Sequence, residues 1–107
     1  MANKAYMITM DTSGLLDTFD YTKFHKRLTT AKGVISWWHY LQNTYIIIVG
    51  EKTNAATIGK FIMDNAPNKQ FFVAKIDLAD HYGLLPKDAW DWVNKQISQP
   101  SHLKRLI

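Results

Sequence analysis

The chain has 107 residues, no cysteine, and a formal charge of +4 from 13 Lys and Arg against nine Asp and Glu. That length holds one hydrophobic core rather than two, and the missing thiols exclude disulfides and thiolate metal sites. With 47% hydrophobic, 21% charged and 13% aromatic residues, wholesale disorder is excluded, and four Trp let a small sandwich bury enough area without staples.

No N-terminal stretch joins a charged start to the apolar core of a signal peptide. The longest near-continuous apolar run, Tyr45 to Val49, is strand-sized and far short of the roughly 20 residues a membrane helix needs. A cytoplasmic protein with no membrane segment is expected. The positive balance favours a polyanion partner, although the basic residues are scattered. Only Lys23, Lys26 and Arg27, and the pair Lys104 and Arg105, form small groups.

Tyr6 to Met10 is short and mostly apolar, ends at Asp11, and is followed by the turn residues Thr12-Ser13-Gly14. It reads as a central strand buried on both sides. Asp20 is placed to cap a helix from Tyr21 to about Lys32. Tyr21, Phe24, Leu28 and Ala31 make its apolar stripe, His25, Lys26, Thr29 and Lys32 fall largely on the other face, and Gly33 suits the position after the helix. Val34 to Leu41 and Thr44 to Val49 read as two strands joined at Gln42-Asn43, a hairpin in which Asn tolerates a positive φ.

Thr53 or Asn54 caps a second helix that turns Ala55, Ile58, Phe61, Ile62 and Ala66 inward and closes at Pro67. Gln70 to Leu78 reads as a fourth strand, with Phe72, Ala74, Ile76 and Leu78 on one face and Phe71, Val73, Lys75 and Asp77 on the other. Residues 85–97 follow as an added helix opened by Pro86, with Ala89, Trp90, Val93 and Ile97 in an apolar stripe. Trp92 lies about 200° around that helix from Trp90, so the two cannot share one surface. The last ten residues, from Ser98, form a polar, basic tail.

The order β-α-β-β-α-β predicts a single α+β domain over residues 1–107. It is a ferredoxin-like sandwich with a four-stranded antiparallel sheet in the order 4-1-3-2, an added C-terminal helix and a polar tail. A mixed open sheet with the last strand elsewhere is the alternative. Helices from the two crossovers cover one sheet face, yet Trp37 and Trp38 point oppositely, as do Phe71 and Phe72. The second face therefore needs a cover, either the C-terminal segment with Trp90 and Trp92 or a second copy of the chain. Trp37, Trp38, Trp90 and Trp92 are the interface candidates for a homodimer.

The topology also sorts the polar residues. Asp11 falls at the sheet edge that carries the Gln42-Asn43 turn and the start of the fourth strand near Lys69. Asp77, Asp80 and His81 fall at the opposite edge, which argues against a dyad of Asp11 with His81. A carboxylate at a central strand end can hold Mg²⁺ with waters and phosphate oxygens, and two across a two-fold axis do so better. Equally, Asp11 can simply start the turn. The Asp77, Asp80, His81 cluster matches no metal-ligand spacing and reads as a solvated strand exit. His39, set among Trp37, Trp38 and Tyr40, can stack on or bond a nucleobase, or pack as a core histidine. Thr12-Ser13-Gly14 is a weak phosphate nest.

The strand Tyr6-Met7-Ile8-Thr9-Met10-Asp11, the amphipathic helix after it, and Trp37-Trp38-His39-Tyr40-Leu41-Gln42-Asn43-Thr44-Tyr45-Ile46-Ile47 carry a resemblance. They look like the small SinR-like proteins, which in turn resemble the small CRISPR-associated spacer-acquisition protein and VapD-type ribonucleases. The likeness runs from about Ala5 to Leu78. It implies a ferredoxin-like dimer, and in some members a metal-dependent nuclease using the aspartate that ends the first strand, here Asp11, with Mg²⁺. Other members are non-catalytic DNA-binding scaffolds. Thr12-Ser13-Gly14 departs from the apolar-Asn pair usual after that strand.

Two function classes follow. One is a dimeric nucleic-acid-associated protein meeting DNA or RNA through His39, Lys23, Lys26, Arg27 and Lys69, with Asp11 as the metal-binding catalytic carboxylate of a phosphodiesterase. The other is a non-enzymatic module that binds a protein through an exposed sheet face or the Trp-rich C-terminal helix.

Overall fold

A computed structural model describes residues 3–11 and 19–97. Thr12-Ser13-Gly14 and the tail from Ser98 lie outside the described residues. The elements run β1 (Lys4–Met10), α1 (Tyr21–Thr29), β2 (Val34–Leu41), β3 (Thr44–Val49), α2 (Ala55–Asn65), β4 (Phe71–Ile76) and α3 (Lys87–Ile97). The four strands form one sheet in the order β2-β3-β1-β4, and every neighbouring pair is antiparallel. This is the expected order 4-1-3-2 read from the other edge, an α+β arrangement consistent with a ferredoxin-like fold.

Alternation along the strands sorts their side chains into two cores. Tyr6, Ile8 and Met10 of β1, with Tyr45, Ile47 and Val49 of β3, meet Phe24 and Leu28 of α1 and Ile58 and Ile62 of α2. Ile8, Ile47 and Ile62 are fully enclosed there. Ala5, Ile46, Ile48 and Trp38 point the other way and pack with Leu78, Ala89 and Val93. Part of the second face is thus covered by α3 of the same chain, one of the two covers expected.

Two tryptophans tie that helix down. The indole N–H of Trp38 donates to the carbonyl of Ala89 at 3.3 Å, and that of Trp92 donates to the Ser36 hydroxyl at 2.8 Å. On the far side, Trp90 stacks on His81 with ring centroids 5.4 Å apart. Its indole also crowds Gly83, where an added Cβ would come within 3.3 Å of the ring. The opposed tryptophans of α3 are therefore held between the sheet and the chain's own loop 77–86.

Local chemistry sets the ends of the elements. Asp20 accepts from the Lys23 N–H at 2.9 Å and Asn54 from the Thr57 N–H at 3.0 Å, so α1 and α2 each open on a side-chain cap. Helix α1 stops at Thr29, short of the expected Lys32. The hydroxyls of Thr29 and Thr30 return to the carbonyls of His25 and Lys26, and tight turns then lead to Gly33 at φ 99°. Strand β4 likewise ends at Ile76 rather than Leu78, because Asp77 takes the Ala79 N–H at 3.0 Å and turns the chain.

Candidate functional site

The end of β1 gathers three segments. Met10 donates its N–H to the Asn43 carbonyl at 2.9 Å, and Asp11 donates to the Gln70 carbonyl at 3.0 Å. Asp11, the Gln42-Asn43 turn and Lys69-Gln70 thus stand at one sheet edge, as the topology argument placed them. The Lys69 ammonium donates to the Tyr21 hydroxyl at 2.6 Å and reaches the Asp11 main-chain carbonyl at 3.4 Å. It also lies 5.4 Å and 5.0 Å from the ring centroids of Phe19 and Tyr21, a cation–π setting.

Beside this edge a cavity of about 350 Å³ opens between the start of α1 and the β2–β3 hairpin. Its polar wall carries His25, His39, Thr22, Gln42 and Asn43, and its floor is Met10, Phe24 and Tyr45. The two imidazoles are 5.7 Å apart, centroid to centroid. His39 stacks flat on Tyr45 at 3.9 Å with 2° between the planes, and its Nδ1 lies 3.0 Å from the Thr44 carbonyl. A carbonyl only accepts, so Nδ1 carries the proton and Nε2 is left for another partner. His25 places Nδ1 2.7 Å from the Tyr45 hydroxyl and meets Trp37 edge-on at 4.8 Å.

A bulge builds this arrangement. Leu41 pairs with Thr44 and Trp38 with Ile46, so His39 and Tyr40 together oppose Tyr45. The slip puts His39 on the α1 face beside Tyr45 and sends Tyr40 to the other face, against Trp38. Burial lowers the pKa of His25 below its ordinary 6.5, and the neighbouring His39 adds to the effect. Burial also pushes the Tyr45 phenol up to about 12, so it stays protonated.

No protein-family model, curated protein or solved structure matches this chain.

The other sequence candidates divide by location. Lys23 and Lys26 are exposed on α1, and Arg27 reaches across to the Asn65 side chain of α2 at 3.2 Å, on the outside of the helix layer. Trp38 is only 4% exposed, whereas Trp37 keeps 40% of its surface open at the α1 end of the hairpin. At the opposite sheet edge, Asp77 and Asp80 belong to the turn after β4, and His81 bonds the Leu78 carbonyl at 2.7 Å. Among the described residues, no three His, Cys, Asp or Glu side chains come together as a metal site.

Sequence reasoning chose His39 and missed His25, Tyr45 and Tyr21 as its companions. His25 was assigned to the outer face of α1, but it adjoins the Tyr21, Phe24, Leu28 stripe and borders the apolar face. Its neighbour Phe24 in that stripe was the available signal.

Proposed function

We propose that this chain is a nucleic-acid-associated protein that meets a DNA or RNA strand at the β1 end, across the cavity mouth between α1 and the β2–β3 hairpin. One observation carries the reading. Stacked aromatic rings, paired imidazoles and neutral amide donors converge beside the Lys69 ammonium at one sheet edge. Single-stranded nucleic acid is held by this combination, rings for the bases and cations for the backbone. The net charge of +4 adds a modest general attraction. The resemblance to SinR-like proteins leans the same way.

As a finer part of the reading, the chain works as a homodimer. Cleavage belongs to it only where a partner copy brings a second carboxylate to Asp11. Asp11→Asn would then abolish any Mg²⁺- or Mn²⁺-dependent nuclease activity of highly purified protein, and an activity indifferent to that change removes Asp11 from the chemistry. Binding itself is tested with labelled single-stranded RNA and DNA and the Lys69→Ala variant. A several-fold loss of affinity in Lys69→Ala, with wild-type binding that weakens as salt rises, is expected.

A second reading has its own observation. Phe72 is 62% exposed and Tyr40 42% exposed on the sheet face that α3 only partly covers. A protein-interaction role would use this patch rather than Trp90 and Trp92, which are engaged within the chain.

A further inference from the structure

We propose that the cavity between α1 and the β2–β3 hairpin is a binding site for the phosphate of a nucleotide-sized ligand, gripped by His25 and His39 as protonated donors. The inference deepens the nucleic-acid reading and rests on it for the source of the ligand, a strand terminus or a free mononucleotide.

The chemistry of the wall selects an anion. Among the described residues none that line the cavity is a carboxylate, and its polar side chains are the two histidines, the amides of Gln42 and Asn43, and hydroxyls that include Thr22. The two imidazoles have their Nδ1 atoms occupied within the protein, His39 on the Thr44 carbonyl and His25 on the Tyr45 hydroxyl. A carbonyl and a phenol oxygen both accept from an imidazolium N–H, so these anchors remain satisfied when the rings take up protons. Nε2–H is then the free donor on each ring, with the ring centroids 5.7 Å apart. A phosphate with several acceptor oxygens can bridge such a pair through charge-assisted hydrogen bonds.

A divalent cation fits less well. Protein zinc sites use three or four protein ligands, and no such group exists among the described residues. The volume of about 350 Å³ exceeds what one phosphate needs and lies within the range of small-ligand pockets. Met10, Phe24 and Tyr45 give the remaining space an apolar and aromatic floor, suited to a base or ribose.

Binding is therefore coupled to proton uptake. Among the described residues, the titratable groups around the pair are each other, Tyr45 on β3, Tyr21 on α1, and Lys69, which is bonded to Tyr21 and holds its charge toward the β1 end beside Asp11. The turn contributes only the uncharged Gln42 and Asn43. Burial and the neighbouring His39 ring both oppose protonation of His25 while the cavity is empty, and a dianion offsets that cost.

The test uses the full chain and two probes, inorganic sulfate, which stays a dianion between pH 5.5 and 7.5, and adenosine monophosphate. Titrations are followed by calorimetry and by the histidine ring resonances. Sulfate affinity should fall at least tenfold between pH 5.5 and 7.5, since each coupled proton changes affinity up to about tenfold per pH unit. His25→Gln and His39→Gln, checked for folding by thermal melting, should each lose at least tenfold at pH 5.5 and flatten the pH profile. If either variant fails to fold, the wild-type resonances still decide, because sulfate must raise both histidine pKa values. Adenosine should bind at least tenfold more weakly than its monophosphate. A 5′-phosphorylated oligonucleotide that outcompetes its 5′-hydroxyl twin makes the strand terminus the ligand, and equal competition leaves the mononucleotide. Affinity independent of pH, or histidine pKa values unmoved by saturating sulfate, overturns the proposal. If oligonucleotides bind wild type and both variants equally, the phosphate site fails while the strand-binding reading survives. Monophosphate binding without oligonucleotide binding is the reverse outcome and supports the phosphate site.

Discussion

At the residue scale the linked set is His25, Tyr45 and His39. The Tyr45 hydroxyl holds His25 at 2.7 Å while the phenol ring carries His39 stacked at 3.9 Å. Because the folded pKa of His25 lies below its ordinary 6.5, the unfolded chain binds a proton more readily than the folded one. Its contribution to stability is complete above pH 6.5 and is lost as pH falls through the folded value. Thermal melts should therefore drop between pH 7 and 5.5, and His25→Asn should flatten that part of the curve. An identical pH dependence in the variant would contradict the assignment. Tyr45→Phe removes the hydroxyl and should cost about 1 kcal/mol in a denaturant titration. Little of this trio was legible in the sequence. A regular hairpin around Gln42-Asn43 sets Tyr40, not His39, opposite Tyr45, and only the bulge between Trp38 and Leu41 reverses that. Asp11 was legible because its place depends on strand order alone.

At the element scale, helix α3 is the addition that makes the sheet stable on both sides. Ala89 is fully enclosed and Val93 is 3% exposed, and the two indole N–H bonds fasten the helix to β2. Val93→Ala should destabilise the chain by about 2 kcal/mol. Removal of residues 83–107 should lower the melting temperature far more, because it uncovers Trp38, Ile46 and Ile48 together. An unchanged melt after that truncation would make the helix an accessory. The helix itself was readable from the stripe Ala89, Trp90, Val93 and Ile97, and the hairpin strands came out with the observed bounds, since alternating β-branched and aromatic residues leave few options. The partner of Trp90 was not readable. Its ring rests on His81 and over Gly83, in a loop whose path no periodicity encodes.

At the scale of the whole molecule, two cores lie on either side of one sheet, and the polar site is confined to the β1 end. Helix α3 sits over the row of Ser36, Ile48, Ala5 and Ile76 and leaves the row ending in Thr9 and Phe72 open. A homodimer through this open end is the proposed assembly. Light scattering at low micromolar concentration should report twice the 12.4 kDa chain mass, and Phe72→Lys should return the protein to a monomer. A monomeric wild type would remove the dimer and leave the site to work within one chain. The account stands most directly on one measurement, fluorescence anisotropy of a labelled single-stranded oligonucleotide titrated with wild type, Lys69→Ala and His39→Gln at two salt concentrations. It predicts saturable binding by wild type that weakens with salt, and a several-fold loss in each variant. No binding by wild type at tens of micromolar, or equal binding by all three proteins, would contradict it.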